Sequence, residues 1–391
     1  MFKAFPAPPR LLSLPSFTRV YLSKMSSVPS PPKIPKFFSV EGSDIHSRSK
    51  PDGFRFSLVS YNILAQVYVK SSLFPHSPSS SLKWKARSNA ILTVLKNLEA
   101  DFFCLQEVDE YDSFYKGSML NIGYSSVYMK RSGQKRDGCG LFYKHDRAEL
   151  VLEEKIEYND LVNSLQDGNS SNDGEHDNDQ SEKQKDAAPN NGPKKNAEDR
   201  GDPNDPRVRL KRDCVGILAA FKFRDLPHHV IIVANTHLYW DPEWADVKLA
   251  QAKYLLSRLA QFKTLVSEKF ECMPDVLVAG DFNSIPADMV YQYLVSGDTS
   301  SKPMPESSED APIPLCSVYA CTRGEPPFTN CTPGFTGTLD YILFCPSHNI
   351  KPISFLELPD SSSPDVDGGL PNFSHPSDHL PIGAEFEIIK E

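Results

Sequence analysis

Six short segments of the chain place a carboxylate, an amide or an imidazole at the end of an apolar run. They are Asn62 in SYNIL, Glu107 in LQEV, His237 in NTHLYW, Asp281 and Asn283 in GDFNS, Asp340 in LDYI, and Asp378 with His379 in SDHLP. Each residue alone has an ordinary structural explanation, such as a turn amide, a helix cap or a buried histidine. Together they favour a functional site, because charged groups beside buried strands are costly unless they are paired or metal-bound.

The last of these segments lies between two prolines in the sequence SHPSDHLP. Pro376 and Pro381 exclude a helix interior, so Asp378 and His379 must lie on a turn or at a strand entrance. Neighbouring side chains on an extended segment point in opposite directions. One of the two residues could therefore reach a metal while the other reaches a substrate. A capped surface turn is the structural alternative for this segment taken alone.

The types of these side chains indicate a metal and a reaction. Carboxylates and amides without thiolates suit a hard cation such as Mg²⁺ or Mn²⁺ rather than zinc. Mg²⁺ binds few carboxylates and completes its shell with water and substrate phosphate. The pattern therefore predicts metal-dependent hydrolysis of a phosphate ester.

Regular elements that could position these residues begin at Phe54. Strand patterns occur in FRFSLVSYNIL, DFFCLQEV, DGCGLFYK, VGILAAFKF, HHVIIVANTHLYW, PDVLVAGDFNS, TLDYILF and PIGAEFEI. Apolar stripes predict amphipathic helices in KARSNAILTVLKNLEA and VKLAQAKYLLSRLAQFKTLV. Many strands with few helices predict two sheets packed face to face with helices outside.

The composition excludes several classes of protein. The 391 residues are 39% hydrophobic, which is typical of a globular chain, and no apolar run approaches the ~20 residues of a membrane-spanning helix. The 8 cysteines lack C-x-x-C spacing, so neither a zinc ribbon nor a secreted disulfide framework is indicated. A net charge of −9 argues against non-specific binding of duplexes through a basic face.

Two segments depart from the globular pattern. Residues 1–50 open with forty residues that are rich in Pro, Ser and basic side chains and contain no acid, which predicts a disordered or targeting arm. Met25 could serve as an alternative start within that arm. Residues 159–207 are polar and acidic with almost no apolar side chains, which predicts a disordered insert. We expect this insert to interrupt a single catalytic domain that spans residues 51–391.

The ordered set SYNIL, LQEV, DGCGLFYK, THLYWDP, GDFNS, LDYI and SDHLP resembles the endonuclease/exonuclease/phosphatase superfamily. Within it, the set is similar to the branch of carbon catabolite repressor protein 4 and nocturnin. The resemblance covers about residues 54–389 outside the insert. It implies a four-layered α/β sandwich of two packed mixed sheets flanked by helices. It also implies Mg²⁺-dependent hydrolysis and, as the usual reaction of that branch, 3′-to-5′ removal of poly(A) tails from mRNA.

The resemblance also implies roles on the metal side of the site. Glu107 would be the principal magnesium ligand, with Asn62 beside it, and Asp378 would complete the metal shell. Mn²⁺ could substitute for Mg²⁺ in such a set of oxygen ligands.

Further roles follow from the resemblance on the phosphate side. Asp281 and Asn283 would position the attacking water and the scissile phosphate. His237 would contact a phosphate oxygen, and His379 would be oriented by Asp340. The resemblance thus explains why Asp378 and His379 are adjacent, because metal-side and phosphate-side groups would share one loop that the flanking prolines stiffen.

Two more residues match positions that hold adenine bases in poly(A) nucleases. They are Pro242 in THLYWDPEWADVKLAQ and Phe335 in FTNCTPGFTGTLDY. A ring face can stack on a base without hydrogen-bond readout. The structural alternatives are a turn residue for Pro242 and a core aromatic for Phe335.

Three functions remain open at this point. The first is a 3′-exoribonuclease acting on poly(A), and the second is a phosphatase for a small adenine-containing molecule such as the 2′-phosphate of NADP(H). A non-enzymatic RNA-binding scaffold is disfavoured because it would not need every catalytic position filled by a competent residue type. Both enzymatic functions require the same metal site, so the motifs do not separate them.

The resemblance also bears on partners and compartment. It implies RNA as the partner, and no membrane. Residues 1–53 contain no leucine-rich period, which argues against docking to a deadenylase scaffold by leucine-rich repeats. The resemblance implies a cytoplasmic and nuclear protein, whereas the basic arm is compatible with mitochondrial or plastid targeting.

Overall fold

Two β-sheets form the centre of the fold in a computed structural model that describes residues 30–40, 53–163, 202, 204–295, 311–347 and 349–389. Elements are numbered along the chain. The first sheet contains, in spatial order, β1 (Phe37–Ser39), β14 (Ile350–Leu356), β15 (Ile382–Ile388), β2 (Phe54–Asn62), β3 (Phe102–Gln106), β5 (Gly138–Lys144) and β4 (Tyr124–Lys130). Strands β2 and β3 are parallel and the other neighbours are antiparallel, so the sheet is mixed.

The second sheet is also mixed. It contains, in spatial order, β10 (Cys316–Ser317), β13 (Asp340–Phe344), β9 (Asp275–Asp281), β8 (Leu226–His237), β7 (Val215–Phe223) and β6 (Ala148–Glu157). Strands β8 and β9 are parallel, and the other neighbours are antiparallel. A separate hairpin joins β11 (Asn330–Thr332) to β12 (Phe335–Gly337).

Six α-helices lie in the described part of the chain outside the sheets. They are α1 (Trp84–Leu98), α2 (Lys116–Leu120), α3 (Pro206–Arg209), α4 (Ala245–Phe270), α5 (Met289–Leu294) and α6 (Val318–Thr322). Single turns of tighter or wider helix occur at Gln66–Tyr68, Tyr111–Tyr115, Tyr158–Asp160 and Pro242–Trp244. Within the described ranges, no helix has both the length and the apolar composition needed to cross a bilayer.

The layers follow from the alternation of side chains along each strand, because successive residues face opposite sides of a sheet. Leu58 on β2 lies in the core between the sheets, whereas its neighbour Val59 packs with the buried face of α1. Ile231 and Ile232 on β8 divide in the same way between the central core and α4. The predicted arrangement of two packed mixed sheets flanked by helices is confirmed.

Seven strands of the described part were not predicted from the sequence, and three of them, β10, β11 and β12, are only two or three residues long. Strands β4 and β6 are outer strands of their sheets, and most of their residues are half-buried or exposed, so their sequences carry many polar side chains. Strand β14 contains Pro352, which weakens a strand pattern. Strand β1 lies inside the predicted N-terminal arm. Its residues pair with the free edge of β14.

The structure describes parts of both segments that were predicted to be irregular. Residues 30–40 differ from the predicted arm, because Phe37–Ser39 join the first sheet and the Lys33 amide donates a 2.8 Å hydrogen bond to the Ser374 carbonyl. Residues 1–29 and 41–50 lie outside the described part. Of the predicted insert, residues 164–201 and 203 also lie outside it, while Asn159 and Asp213 exchange hydrogen bonds that join its flanks.

Candidate active site

The predicted catalytic side chains lie where the ends of several strands from both sheets meet. His237, Asp281 and Asp340 are register partners across the neighbouring strands β8, β9 and β13. The Asn62 side-chain amide, at the end of β2, donates a 2.9 Å hydrogen bond to Asp281 Oδ2. This bond joins the first sheet to the second, so the two halves of the site belong to different sheets.

Close contact between β8 and β9 depends on a glycine. Gly280 has φ 155°, and a Cβ atom at that position would lie 2.1 Å from the Thr236 carbonyl oxygen. Any side chain at position 280 would push the strands apart. The Gly-Asp pair of GDFNS therefore brings Asp281 beside His237.

Glu107 follows β3 in a left-handed backbone conformation, with φ 59°. Its carboxylate accepts hydrogen bonds from the Asn62 amide at 3.1 Å and from the Ala65 backbone N–H at 2.9 Å. Burial, followed by the negative charges of Asp137 and Asp378, raises the pKa of Glu107 to about 7. A carboxyl pKa that burial and neighbouring negative charges raise in this way is typical of functional sites.

Asp281 is the centre of the site. His237 Nε2 lies 3.5 Å and His379 Nε2 3.7 Å from Asp281 Oδ2. Burial and then the charge of Asp340 raise the pKa of Asp281. Burial lowers the pKa of His237, although Asp281 opposes this effect, so His237 is favoured in its neutral form.

His379 has the opposite charge preference. Its Nδ1 lies 2.8 Å from Asp340 Oδ2, which also accepts a 2.6 Å hydrogen bond from the Thr329 hydroxyl. Burial alone lowers the pKa of His379, but the carboxylates of Asp340 and Asp281 outweigh burial and raise that pKa well above its usual value. The two imidazoles beside Asp281 therefore have opposite preferences, since the pKa of His237 is lowered and that of His379 is raised.

The loop between Pro376 and Pro381 is fixed from two sides. The Ser377 hydroxyl donates a 2.7 Å hydrogen bond to the Asn62 carbonyl. On the other side, the Cys331 amide donates to the Asp378 carbonyl at 3.1 Å, and β11 makes an isolated bridge to His379. The Asp378 carboxylate accepts a 3.4 Å hydrogen bond from Ser377 Oγ and its charge raises the pKa of Glu107, whereas His379 Nδ1 lies 2.8 Å from Asp340 Oδ2.

Asn283 is oriented by its own backbone and by α4. It has φ 48°, and its amide donates to Asp281 Oδ1 at 2.9 Å. Its side chain donates a 3.0 Å hydrogen bond to the Leu238 carbonyl, and its own carbonyl accepts one of 2.7 Å from Lys248 Nζ. The predicted site residues Asn62, Glu107, His237, Asp281, Asn283, Asp340 and His379 thus form one connected network.

One group of ligand atoms in the described part of the chain is spaced closely enough to hold a cation, and a second region gathers negative charge around Glu107. Glu107 has the carboxylates of Asp137 and Asp378 as neighbours that raise its pKa. On the other side, ligand atoms of Asp281, Asp340 and His379 lie within 4.8 Å of one another. Asp340 Oδ1 and His237 Nδ1 are buried without a hydrogen-bond partner among the described residues. These oxygen-rich, negatively charged surroundings suit Mg²⁺ or Mn²⁺.

Three residues around the site were missed by the sequence analysis. Arg87 on α1 hydrogen-bonds the carbonyls of Ile63, Leu64 and Pro376. Its position on the apolar face of the helix, four residues before Ile91, was the available signal, because an arginine there must find buried partners.

The other two missed residues lie in segments that the analysis did single out. Asp137 in DGCGLFYK is fully buried, accepts a 2.6 Å hydrogen bond from the Tyr68 hydroxyl, and has a charge that raises the pKa of Glu107. Lys248 in the segment after THLYW is buried beneath Asn283. A charged residue inside a diagnostic segment was a signal in both cases.

The two predicted base-contacting residues lie on the protein surface. Phe335 on β12 is 41% exposed, which rules out the alternative of a core aromatic. A Cβ atom at Gly337 would lie 2.8 Å from Phe335 Cζ, so the Phe335 ring occupies space that a side chain at position 337 would need. Pro242 is also exposed and begins the short helical turn after β8.

Two packed mixed sheets, with carboxylate and imidazole side chains where the strand ends of both sheets meet, are the fold and site of a class of phosphoester hydrolases. The model of the endonuclease/exonuclease/phosphatase family matches residues 59–379. The chain therefore belongs to the endonuclease/exonuclease/phosphatase family.

Individual proteins that are similar to this chain give a more specific comparison than the family does. The chain is 59% identical to carbon catabolite repressor protein 4 homolog 4 of Arabidopsis thaliana, with 95% of each chain covered. It is 27% identical to the CCR4-Not complex 3′-5′-exoribonuclease subunit Ccr4 of Candida albicans, where 90% of this chain matches 43% of that protein. Among solved structures, ANGEL2, a 2′,3′-cyclic phosphatase, in complex with adenosine-2′,3′-vanadate has a TM-score of 0.63 at 25% identity, covering 87% of this chain and 97% of that one.

Proposed function

We propose that the protein is a Mg²⁺-dependent 3′-to-5′ exoribonuclease that removes poly(A) tails. The observation that carries this proposal is the connected network of Glu107, Asn62, Asp281, His237 and His379 at the joint edge of the two sheets. Such a network combines negative charge for a cation with a cationic group for a phosphate. Its residue types are those expected for hydrolysis of a phosphodiester.

Glu107, Asn62 and Asp378 would hold the metal, and Mn²⁺ could replace Mg²⁺ there. Glu107 offers two carboxylate oxygens, and Asn62 Oδ1 accepts one hydrogen bond, from the Leu64 amide, which leaves a second lone pair. The bound cation would neutralise phosphate charge and stabilise the leaving oxygen. The pKa of Glu107, raised to about 7, supports this assignment because a cation would relieve the repulsion from Asp137 and Asp378.

The chain's own residues would do the remaining work. Asp281 and Asn283 would orient the attacking water, and the Asp281 carboxylate, with its raised pKa, would accept the water proton. His379 is cationic because Asp340 and Asp281 raise its pKa, so it would donate a hydrogen bond to a phosphate oxygen. His237, favoured as neutral, would contact another phosphate oxygen.

The choice of RNA as substrate and partner rests on the relatives and on the rim of the site. The Candida relative carries the name of a 3′-5′-exoribonuclease, and the Arabidopsis relative that of a carbon catabolite repressor protein 4 homolog. The exposed Phe335 and Pro242 would hold adenine bases against their faces. Stacking of this kind favours adenine through ring area rather than through hydrogen bonds.

A second candidate is a phosphatase acting on a small adenine-containing molecule, such as the 2′-phosphate of NADP(H). The similarity to ANGEL2, a 2′,3′-cyclic phosphatase in complex with adenosine-2′,3′-vanadate, favours it, because that ligand contains adenosine. The same metal and phosphate groups would serve this reaction. The two candidates differ in substrate size: the exoribonuclease binds an RNA strand, whereas the phosphatase binds one small molecule.

One experiment separates the candidates. Purified protein with Mg²⁺ is incubated in parallel with labelled oligo(A), oligo(U) and NADPH, and a matched Glu107→Gln preparation measures contaminating activity. Stepwise shortening of oligo(A) from the 3′ end, faster than that of oligo(U), is expected. Phosphate release from NADPH without shortening of oligo(A) would establish the phosphatase instead, and failure on all three substrates would refute both proposals.

A further inference from the structure

Several exposed apolar side chains belong to the segments that carry site residues, and two of them, Ile285 and Phe335, both lie within 3.5 Å of where a Cβ atom would stand at Gly337. In the described part of the chain, nine large hydrophobic side chains are exposed, and four of them follow or precede site residues. These four are Trp240, Ile285, Met289 and Phe335. Surface hydrophobic residues scattered singly need no explanation, whereas a group beside a site indicates a binding surface.

The loop that carries Trp240 is joined to the site by backbone hydrogen bonds. The Leu238 amide donates to the Asp281 carbonyl at 3.0 Å, and the Leu238 carbonyl accepts from the Asn283 side chain at 3.0 Å. Trp240 is only two residues further along the chain, and consecutive Cα atoms are about 3.8 Å apart. Its Cα therefore lies within about 8 Å of the Leu238 Cα.

A stack of rings and guanidinium groups fixes this loop. Two guanidinium groups lie against the Trp244 ring, with Arg209 Cζ and Arg212 Cζ each 4.0 Å from the ring centroid. The Tyr239 ring packs edge-on against Trp244 at 5.9 Å, and the Tyr239 amide donates a 2.9 Å hydrogen bond to Gln251 Oε1. The loop backbone is thus held on both sides of Trp240.

Trp240 itself is left largely uncovered by this scaffold. It is 62% exposed, and its nearest ring neighbour is Tyr239 at 6.1 Å in a tilted orientation. Because this loop is already held in place, binding through Trp240 costs little additional conformational entropy of the loop. The indole offers an apolar face with little conformational entropy to lose.

We infer that Trp240 stacks on a base of the RNA strand outside the nucleotide that is cleaved, so that the protein binds a strand longer than a dinucleotide more tightly. This inference rests on the proposed exoribonuclease function. Charge supports stacking over phosphate contacts, because the chain has a net charge of −9 and Arg209 is paired with Asp246 at 2.6 and 2.8 Å. Base stacking accepts every base, with a preference for the larger purine rings, and needs no net positive surface.

The test compares binding of labelled oligo(A) of two and of ten nucleotides in EDTA, where no hydrolysis occurs. We expect Trp240→Ala to weaken binding of the longer strand roughly 5- to 150-fold and to change binding of the dinucleotide less than about twofold. Trp240→Phe should retain most of the affinity because it keeps a ring face. Phe38→Ala, which removes an exposed aromatic from the edge strand β1, is the control and should bind as the unaltered protein does.

Each other outcome overturns the inference. Equal weakening for both lengths would mean that Trp240 acts only by shaping the loop around Pro242. Unchanged binding of the longer strand would mean that no base stacks there. The proposed function fails separately: an unaltered protein that binds the longer strand through Trp240 but releases no nucleotide when Mg²⁺ is added would keep this inference and refute the nuclease.

Discussion

At the scale of single residues, two members of the site have backbone conformations that are uncommon for their side chains. Glu107 and Asn283 both have positive φ, at 59° and 48°. Such conformations persist where the surroundings impose them, and here hydrogen bonds from Ala65 and to Asp281 do so. The sharp turn after each strand directs these side chains back toward the site rather than along the strand axis.

The first prediction concerns the charge of Glu107. Glu107→Gln keeps the volume of the side chain but removes the negative charge, so hydrolysis should fall by more than about 100-fold, beyond the loss typical of residues that only support a ligand. The fold should remain intact, as measured by circular dichroism and thermal midpoint. Asp112→Asn, which neutralises an exposed acid a few residues away, is the control. Full turnover by the Glu107 variant at ordinary Mg²⁺ would refute the assignment.

The second prediction concerns base preference at Phe335. Because the ring is exposed, Phe335→Ala should cost about 0.5 kcal/mol of stability or less, as is usual for surface substitutions. Loss of a stacking face should weaken binding of oligo(A) by roughly 1–3 kcal/mol and affect oligo(U) far less. The rate ratio of oligo(A) to oligo(U) measures this effect, and an unchanged ratio would eliminate the stacking role.

At the scale of elements, the site depends on loops that α1 holds together. Arg87 is only 1% exposed, and its guanidinium donates to the carbonyls of Ile63 and Leu64 at 2.6 Å and of Pro376 at 2.7 Å. The first two carbonyls follow Asn62 and the third precedes Asp378. A helix packed on the outside of the first sheet therefore sets the distance between two predicted metal ligands.

The third prediction tests this arrangement. Arg87→Lys keeps a positive charge but cannot reproduce the planar set of donors, so buried carbonyls lose their partners. We expect a loss of roughly 1–3 kcal/mol in the free energy of unfolding and a higher Mg²⁺ concentration for half-maximal activity. Lys85→Met, an exposed change on the same helix, should alter neither quantity. Unchanged Mg²⁺ dependence with reduced stability would show that Arg87 only supports the fold.

At the scale of the whole molecule, the second sheet is continuous in space although residues 164–201 separate two of its strands in the sequence. Strands β6 and β7 lie on either side of the interruption and pair along nearly their whole length. Asn159 and Asp213 exchange hydrogen bonds of 2.9 and 3.0 Å near the ends of those strands. The described contacts therefore close the second sheet without any residue between 164 and 201.

The fourth prediction follows from this closure. Deleting residues 165–200 and joining the flanks with a short Gly/Ser linker should leave nuclease activity within a few-fold of the unaltered protein. The polar, acidic composition of the removed residues offers little apolar surface for the core. Deletion of a segment of β6 such as residues 150–156 is the control that should prevent folding. Loss of soluble protein on deletion of residues 165–200 would contradict the prediction.

The sequence alone determined which strands are central and which side chains stand at their ends. Strands β7, β9 and β15 could be predicted because buried strands are nearly continuous apolar runs, and the polar residues that end such runs are conspicuous. The outer strands β4 and β6 could not be predicted, because most of their residues are half-buried or exposed and their sequences lack an apolar run. A local sequence pattern indicates which residues are buried, and the strands at the edges of a sheet have fewer buried residues.

Only the tertiary structure decided how the two halves of the site meet. No local pattern connects Asn62 with Asp281, or Arg87 with Pro376, since these pairs are 219 and 289 residues apart in the chain. Their contacts arise from the packing of one sheet on the other and of α1 on the first. The opposite charge preferences of His237 and His379 likewise follow from the carboxylates that packing places beside each ring, since burial alone would lower the pKa of both.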